Sequence, residues 1–350
     1  MKYRPRIAIQ YSELGDYSLS CFKALQEQGA KIQLIHWPIN PEAPFQFDLS
    51  FIDEVISRDT VDRDGLMTKV NAFQPDVILS SGWMDKDYVA VCRKMRGQAV
   101  TVLSLDNHWT GSTKQQVARL VAPFTIRRAF AKAFVPGEPQ RQYALRLGFE
   151  EGEIRTGFYS ADTQKFDGFY GQLSAGKKNA LPKRFLYLGR YVQHKGIFDL
   201  WSAFAKYRQA SGDWELWCVG TGDQYAQRVE GEGIRHFGFV QPSEMLPILE
   251  GCGVYILPSH FEPWGVSVHE MGVAGFPMLL SDAIGAKEQF LVEAENGAVF
   301  PSGNGDALAE KMHWITELSN EALLQMSVRS HNLGMRHTPE VWANRLLSLL

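Results

Sequence analysis

Short apolar segments rich in β-branched and aromatic residues alternate with longer amphipathic stretches along the chain. The apolar segments lie at residues 6–11, 31–37, 76–82, 99–106 and 131–137, and then at 185–190, 214–220, 234–240, 253–259 and 277–282. This alternation predicts βα units that build parallel, doubly wound sheets. Because the series starts over after its first half, we expect an α/β protein with two Rossmann-like lobes that face a central cleft.

The amphipathic stretches carry apolar stripes at helical spacing, as at Ile197, Leu200, Trp201 and Phe204, which predict core-facing helices. The period is lost before the second series, where glycine, serine and lysine replace apolar residues. We therefore predict four segments. They are a first lobe at 1–170, a linker at 171–183, a second lobe at 184–335 and a C-terminal helix at 336–350.

Composition agrees with a globular protein of two lobes. The chain has 350 residues, too many for one ordinary core, and 45% of them are hydrophobic, which argues against disorder. The formal net charge of -3 gives no overall attraction to nucleic acid. The four cysteines form no CxxC pair, and no apolar run reaches the roughly 20 residues that span a bilayer. We expect a cytoplasmic protein, and its oligomeric state is not readable from the sequence.

Two cations follow the first strand of the second lobe. Arg190 ends the strand and Lys195 precedes a helix that starts near Gly196. A guanidinium, an ammonium and the amide dipoles of a helix start together attract phosphate, although a solvated basic loop would look the same in isolation. The next strand ends in a glycine turn at Gly220, which permits close approach of the backbone to a ligand.

The segment PSHFEPWGVSVHE at 258–270 places two carboxylates around a break between a loop and a helix. Glu262 lies in the loop, and Glu270 lies in the first turns of the helix. The backbone amides of Gly265, Val266 and Ser267 would open that helix toward an anion. A carboxylate accepts two hydrogen bonds from vicinal hydroxyls, so the segment suits a ribose or a hexose beside a phosphate.

At this point the second lobe resembles glycosyltransferase family 4, the large retaining family with the GT-B fold. The resemblance covers FLYLGR, KG, VGTG, HFGFV, PSHFEPWGVSVHE, DAIGAKE and ENGAVF in order. It implies that Arg190 and Lys195 bind the diphosphate of a nucleotide-sugar donor and that Glu270 holds the ribose hydroxyls. It also implies that Glu262 faces the transferred sugar. The base would lie near Phe239 or Val240.

The first lobe resembles this family more weakly. Its first loop has only Gly15 where many members carry two glycines, and SLDNHW at 104–109 stands where most members have a histidine that contacts the donor sugar. The register favours Asp106 for that contact, and His108 is the alternative. His269 before Glu270, and GAKE before Glu288, also depart from the usual pattern and should alter contacts with the donor sugar.

The resemblance implies a retaining transferase that moves a hexose-type sugar from a UDP-, GDP- or ADP-linked donor to a glycan, lipid-linked or small-molecule acceptor, as in polysaccharide biosynthesis. A nucleotide-sugar epimerase of similar architecture and a nucleotide-binding pseudoenzyme are the alternatives. We expect no cofactor and no metal, because the DxD motif of Asp62 and Asp64 is better explained as the start of a helix.

One basic stretch departs from the neutral average. Residues 114–146 carry seven bases and a single acid, Glu138, with apolar side chains interleaved. The bases are Lys114, Arg119, Arg127, Arg128, Lys132, Arg141 and Arg146. The pattern is typical of an interfacial helix, and also of an ordinary helix that packs in its lobe. It gives the hypothesis of peripheral contact with an anionic inner membrane face, or of a site for a phosphorylated acceptor.

Overall fold

The structure is a computed structural model that describes residues 4–41, 44–176 and 180–350. It divides into two compact units. The first unit contains residues 4–160 together with 338–350, and the second contains 161–337. Each unit is built around its own parallel sheet.

The first unit has a seven-stranded sheet in the order β3-β2-β1-β4-β5-β6-β7. Its strands are β1 Arg6–Tyr11, β2 Lys31–His36, β3 Glu54–Ser57, β4 Val77–Ser81, β5 Val100–Ser104, β6 Lys132–Val135 and β7 Ile154–Thr156. Its helices are α1 Asp16–Glu27, α2 Arg63–Phe73, α3 Lys86–Met95, α4 Thr113–Val121, α5 Ile126–Ala129, α6 Glu138–Arg146 and α14 Pro339–Leu347. Strand order reverses between β1 and β4, as in doubly wound folds.

The second unit has a six-stranded sheet in the order β10-β9-β8-β11-β12-β13. Its strands are β8 Arg184–Leu188, β9 Glu215–Val219, β10 Ile234–His236, β11 Val254–Leu257, β12 Met278–Ser281 and β13 Gly297–Phe300. Its helices are α7 Thr163–Gly176, α8 Ile197–Gln209, α9 Leu246–Glu250, α10 Val266–Val273, α11 Lys287–Phe290, α12 Gly305–Thr316 and α13 Asn320–Gly334. Strand order reverses between β8 and β11.

Both faces of the first sheet are covered, which explains why its strands are continuously apolar. Alternate residues of β1 enter different core layers, so that Ile7 and Ile9 pack on one face and Ala8 on the other. In the second unit, α8 buries Ile197, Leu200 and the other two residues of the predicted stripe. The prediction of two parallel Rossmann-like sheets is thus confirmed.

The division between the units differs from the predicted one. The first unit ends at Ser160 rather than at residue 170, and α7 runs through the start of the predicted linker at 171–183. Helix α7 packs against α10 of the second unit, so tertiary contacts place it there despite its weak apolar period. Residues 177–179 of the predicted linker lie outside the described residues. The predicted C-terminal helix forms as α14 and packs on α1 in the first unit.

Candidate functional site

The predicted anion-binding residues of the second unit lie at the point where its strand order reverses. The loop after β8 carries Arg190 and Lys195, and the loop after β11 carries Glu262. In parallel sheets of this type, ligands bind in the crevice outside the carboxyl ends of the strands at this reversal. The fold therefore brings these three charges to the position where a ligand site is expected.

Glycines allow the two loops to pack against each other. Gly196 has a φ of 68°, in the left-handed region, and a Cβ at this position would overlap the carbonyl oxygen of Pro258. Next to it, the backbone N–H of His260 donates to the carbonyl of His194 at 2.8 Å. The loop after β8 is thus held directly on the end of β11, which fixes the direction in which Lys195 and the start of α8 face.

The adjoining glycine turn after β9 is fixed in the same way. A Cβ at Gly220 would overlap the carbonyl oxygen of Gly189, and the N–H of Gly220 donates to the carbonyl of Gly238 at 2.8 Å. Phe239 and Val240, which follow Gly238, are partly exposed beside this turn. The structure therefore brings the predicted base-binding residues and the Gly220 turn into one loop cluster.

Lys195 and Glu262 form an ion pair in which both side chains are mostly buried, with exposed fractions of 16% and 13%. Arg190 is exposed, and its guanidinium makes no ion pair within the described ranges. Burial and the charges of Lys195 and Arg190 lower the pKa of His194. Burial is the largest cause of this shift, and the two cations beside His194 are the charges that suit an anionic ligand.

Helix α10 begins at Val266, directly after Gly265, whose φ of 97° is in the left-handed region. The first N–H groups of a helix have no acceptor inside it, so the amides of Gly265, Val266 and Ser267 are the predicted anion donors. The hydroxyl of Tyr255 donates to the Ser267 hydroxyl at 2.9 Å and holds this side chain.

Both glutamates of the predicted motif lie close enough to act on the same buried group. Burial raises the pKa of Tyr255, and the negative charges of Glu262 and Glu270 raise it further. Glu270 is partly exposed in the second turn of α10. Both carboxylates therefore act on the Tyr255 hydroxyl although eight positions separate them in the sequence. Tyr255 itself was missed, because a tyrosine inside an apolar strand is typical of the core.

His269 does not face this site, and the expectation that it alters contacts with the donor sugar is wrong. Its ring is fully buried and stacks on Phe290 at 4.1 Å between centroids. Nδ1 accepts from the N–H of Ala161 and Nε2 donates to the carbonyl of Gly334, each at 2.9 Å. Burial, with the nearby His337, lowers its pKa to about 3, so the ring is neutral and fixes α10 in the core.

The loop before Glu288 instead supports Glu262. The N–H of Gly285 donates to the Glu262 carbonyl at 3.0 Å, and the N–H of Ala286 donates to the carbonyl of Trp264 at 2.9 Å. A Cβ at Gly285 would overlap the carbonyl oxygen of Pro263, so this glycine is needed for the approach. Glu288 is exposed at the start of α11.

The first unit has a cavity of about 270 Å³ where its own strand order reverses. Its wall includes residues at and after the ends of β1, β4 and β5 and three aromatic residues from elsewhere in the unit. Among the wall residues are Glu13, Tyr17, Ser81, Trp83, Asp106 and Tyr159. None of the residues described along this wall is basic. Carboxylates, hydroxyls and aromatic rings suit a neutral sugar better than a phosphate.

Of the two residues predicted to contact the donor sugar, one lies in the wall of this cavity. Asp106 lines it and accepts a hydrogen bond from the Tyr159 hydroxyl at 3.4 Å, whereas His108 is not among its lining residues. Burial raises the pKa of Tyr159 and the charge of Asp106 raises it further, so the phenol stays protonated. The sequence did not predict Tyr159 or Ser81 as site residues, because single hydroxyl groups near strand ends form no motif.

Gly15, the single glycine of the first loop, lies at the start of α1. It has extended backbone, with a φ of -134°, and caps α1. The ring of Tyr17 lies against the position that a Cβ would take, so this aromatic side chain covers the glycine. A substrate-binding role of Gly15 stays a prediction.

The DxD motif has the structural role that the sequence predicted. Asp62 is the N-cap of α2 and accepts from the N–H of Gly65 at 2.8 Å, and Asp64 lies in the first turn. Within residues 4–41, 44–176 and 180–350, no helix is long and apolar enough to cross a membrane.

Comparison with known proteins finds a family match in the second unit. Residues 173–329 match the family "Glycosyl transferases group 1". The second unit is therefore similar to the glycosyltransferases of this group. The matched residues include both loops of the second-unit site and both glutamates.

Two curated relatives illustrate the similarity. A glycogen synthase of Mycobacterium tuberculosis is 28% identical over 123 residues, which are 33% of this chain and only 30% of that protein. The D-rhamnosyltransferase WbpZ of Pseudomonas aeruginosa is 24% identical over 331 residues, which are 91% of this chain and 73% of that protein. The chain thus matches less than a third of the glycogen synthase but most of WbpZ.

A solved structure shows the fold of the whole chain. The structure of Anabaena Alr3699/HepE in complex with UDP-glucose has a TM-score of 0.72 and 15% sequence identity, and it covers 99% of this chain and 100% of that one. The predicted GT-B fold is thereby confirmed. The assignment to family 4 in particular, and retention of anomeric configuration, stay predictions.

Proposed function

We propose that this protein is a retaining glycosyltransferase that moves a hexose-type sugar from a nucleoside-diphosphate donor to a hydroxyl acceptor. The observation that carries the proposal is the grouping of Arg190, Lys195, Glu262 and the start of α10 at the strand reversal of the second unit. This grouping lies within the residues that match the glycosyltransferase family. A solved structure of the same fold contains UDP-glucose, which supports a nucleotide-sugar donor.

In this proposal Arg190 and Lys195 neutralise charge that develops on the β-phosphate as the bond to the sugar breaks. Lys195 already pairs with Glu262, but an ammonium has three donors, so it can bind a phosphate oxygen without leaving the carboxylate. Glu270 would accept from the ribose hydroxyls, and Glu262 would face the sugar. We assign no step to a metal.

The proposed chemistry is a substitution on one face of the sugar. The bond from the anomeric carbon to the β-phosphate oxygen breaks, and the acceptor oxygen bonds to that carbon on the same face. The acceptor proton passes to an oxygen of the leaving phosphate. Asp106 would contact a bound sugar from the first unit, where the 270 Å³ cavity favours a neutral acceptor over a phosphorylated one.

Donor binding is tested first, by thermal shift with UDP, GDP and ADP, because a ligand of the folded state raises the melting temperature. The preferred nucleotide should bind about 10- to 100-fold more weakly to Arg190→Ala, since a hydrogen bond to a charged group contributes about 1.5–3 kcal/mol. Arg336→Ala is the matched control, because Arg336 is an exposed base of the same unit outside this site.

The reaction is tested with the nucleotide sugar that carries the preferred base and a panel of neutral glycan acceptors. NMR of the product should show the anomeric configuration of the donor. An inverted product would refute the mechanism, and full activity of Glu270→Ala would refute the site. Interconversion of the donor sugar without any acceptor would indicate an epimerase instead.

A further inference from the structure

Helix α4 of the first unit exposes an apolar stripe that nothing in this unit covers. The side chains of Val117, Leu120, Val121 and Phe124 have exposed fractions of 53%, 75%, 42% and 67%. We call these four residues the α4 surface. None of the nine residues of α4, all of which the structure describes, is buried. So many large apolar side chains exposed together mark an interaction surface.

The stripe faces away from the core of its unit. At 100° per residue, Val117, Leu120 and Val121 fall within an arc of about 100° on α4. The opposite flank contacts the unit, since Ala118 packs against the core and Gln115 donates to the carbonyl of His108 at 2.8 Å. The apolar side chains therefore project into solvent while the polar flank attaches the helix.

The segment is firmly held although its apolar stripe is exposed. Directly after α4, Ala122 is fully buried, and Ile126 at the start of α5 has an exposed fraction of only 6%. Both belong to the core on that side of the sheet. The α4 surface is thus followed directly by residues that are anchored in the core of its unit.

Six of the seven bases of the stretch 114–146 fall into two groups. Three of them have structural partners. Arg127 pairs with Glu153 at 2.7 Å, Arg141 pairs with Glu138 and Glu151, and Arg146 lies over the ring of Trp109 at 5.2 Å. These residues stabilise the unit and are not available for another partner.

Three other bases lie in the same segment as the α4 surface. Lys114, Arg119 and Arg128 are exposed and form no ion pair with any part of the chain that the structure describes. The guanidinium of Arg128 lies 5.9 Å from the ring centroid of Phe124. No aspartate or glutamate occurs between residues 107 and 137. The segment of the α4 surface therefore carries positive charge that nearby acids do not neutralise.

We propose that the α4 surface binds the surface of an anionic lipid bilayer, with its four apolar side chains among the acyl chains and Lys114, Arg119 and Arg128 at the phosphate groups. A helix with an apolar face and bases in the same segment fits a membrane interface. A second copy of this chain would bring the same bases against these, and like charges disfavour that contact. This inference does not depend on the proposed transferase activity.

Flotation of the full chain with vesicles tests the proposal. The protein should float with vesicles of equal parts phosphatidylcholine and phosphatidylglycerol. With vesicles of phosphatidylcholine alone it should remain at the bottom of the gradient. The double variant V117Q/L120Q should bind at least about tenfold more weakly, since two apolar side chains no longer enter the bilayer. V328Q is its control, because Val328 is an exposed apolar residue on a helix of the second unit.

The charges are tested separately. The triple variant K114Q/R119Q/R128Q should lose about a hundredfold in affinity for the anionic vesicles, because each base near an anionic surface contributes about fivefold. K86Q/R93Q/K94Q makes the same change in net charge on α3 and should bind like the unaltered protein. These six bases are all exposed, so both variants should fold.

Three outcomes would overturn the proposal. The first is that the unaltered protein fails to float with the anionic vesicles. The second is that V117Q/L120Q floats as well as V328Q. The third is a dimer in light scattering that V117Q/L120Q converts to a monomer while vesicle binding is absent, which would assign the α4 surface to self-association.

Discussion

Protonation of His269 should destabilise the second unit as the pH falls below about 6.5. The pKa of this buried ring is about 3 in the folded protein, against about 6.5 in an unfolded chain. A lowered folded-state pKa means that the neutral ring contributes its full stabilisation above about 6.5. That contribution is lost progressively as the pH falls from about 6.5 toward 3, because only the unfolded chain takes up the proton.

The size of this loss of stability follows from the same shift in the pKa of His269. One proton bound only by the unfolded chain changes the free energy of unfolding by about 1.4 kcal/mol per pH unit. Between pH 6.5 and 5 the loss from His269 should therefore be roughly 2 kcal/mol. Protonation places a hydrogen on Nδ1, which can then no longer accept from the Ala161 N–H, whereas Nε2 still donates to the Gly334 carbonyl.

His269→Gln isolates this effect. The glutamine amide offers one acceptor for the Ala161 N–H and one donor for the Gly334 carbonyl, but it does not titrate. The variant should lose roughly 1 kcal/mol at pH 7 with the stacking on Phe290, and its unfolding free energy should then depend less on pH than that of the unaltered protein.

The measurement is urea denaturation from pH 7 to pH 5, followed by hydrogen exchange of the peptide that contains α10, which reports on the second unit alone. His36→Gln is the control, since His36 is a partly exposed histidine of the first unit. Equal pH slopes for His269→Gln and the unaltered protein would refute the reasoning.

Two further predictions concern the loops and the DxD motif. Gly196→Ala should destabilise the second unit by roughly 1–3 kcal/mol and weaken nucleotide binding, because alanine is strained at a φ of 68° and its Cβ meets the Pro258 carbonyl. Thermal shift with and without nucleotide measures both effects. The control Gly176→Ala, at a glycine with open space around it, should change neither. Asp62→Ala should lower the free energy of unfolding by about 1 kcal/mol through loss of the α2 cap, and it should leave the proposed transferase activity intact. EDTA should also leave that activity intact. A loss of activity with EDTA that added manganese restores would show that a metal takes part.

The interior strands were predictable from sequence and some edge strands were not. Strands such as β1 and β4 are buried on both faces and read as apolar runs. The missed strands β3 and β7 lie at the edges of the first sheet, and β13 lies at an edge of the second. Each has only three or four residues. β3 and β7 are also partly exposed, so no apolar run or clean alternation marks them, and the apolar run of β13 is only four residues long.

The second-unit site was more readable than the first-unit cavity because its residues fall in short ordered motifs. Arg190, Lys195 and Glu262 follow strand ends, so the strand pattern already places them together. By contrast, the His269 side chain points into the core because of contacts with Ala161 and Gly334, which are far away in sequence. The covering of Gly15 by Tyr17 depends on a single side-chain rotamer, which no pattern encodes.

The return of the chain to the first unit has a consequence for biosynthesis. Trp342 of α14 is almost fully buried in that unit, where its ring packs near Phe134 and its indole N–H donates to the carbonyl of Phe158. A ribosome makes residues 4–160 first, yet their core lacks this indole until residues 338–350 have been synthesised. The second unit, encoded by one continuous stretch, has all its residues before then. The half of the protein that is translated earliest should therefore be the last to complete its native packing.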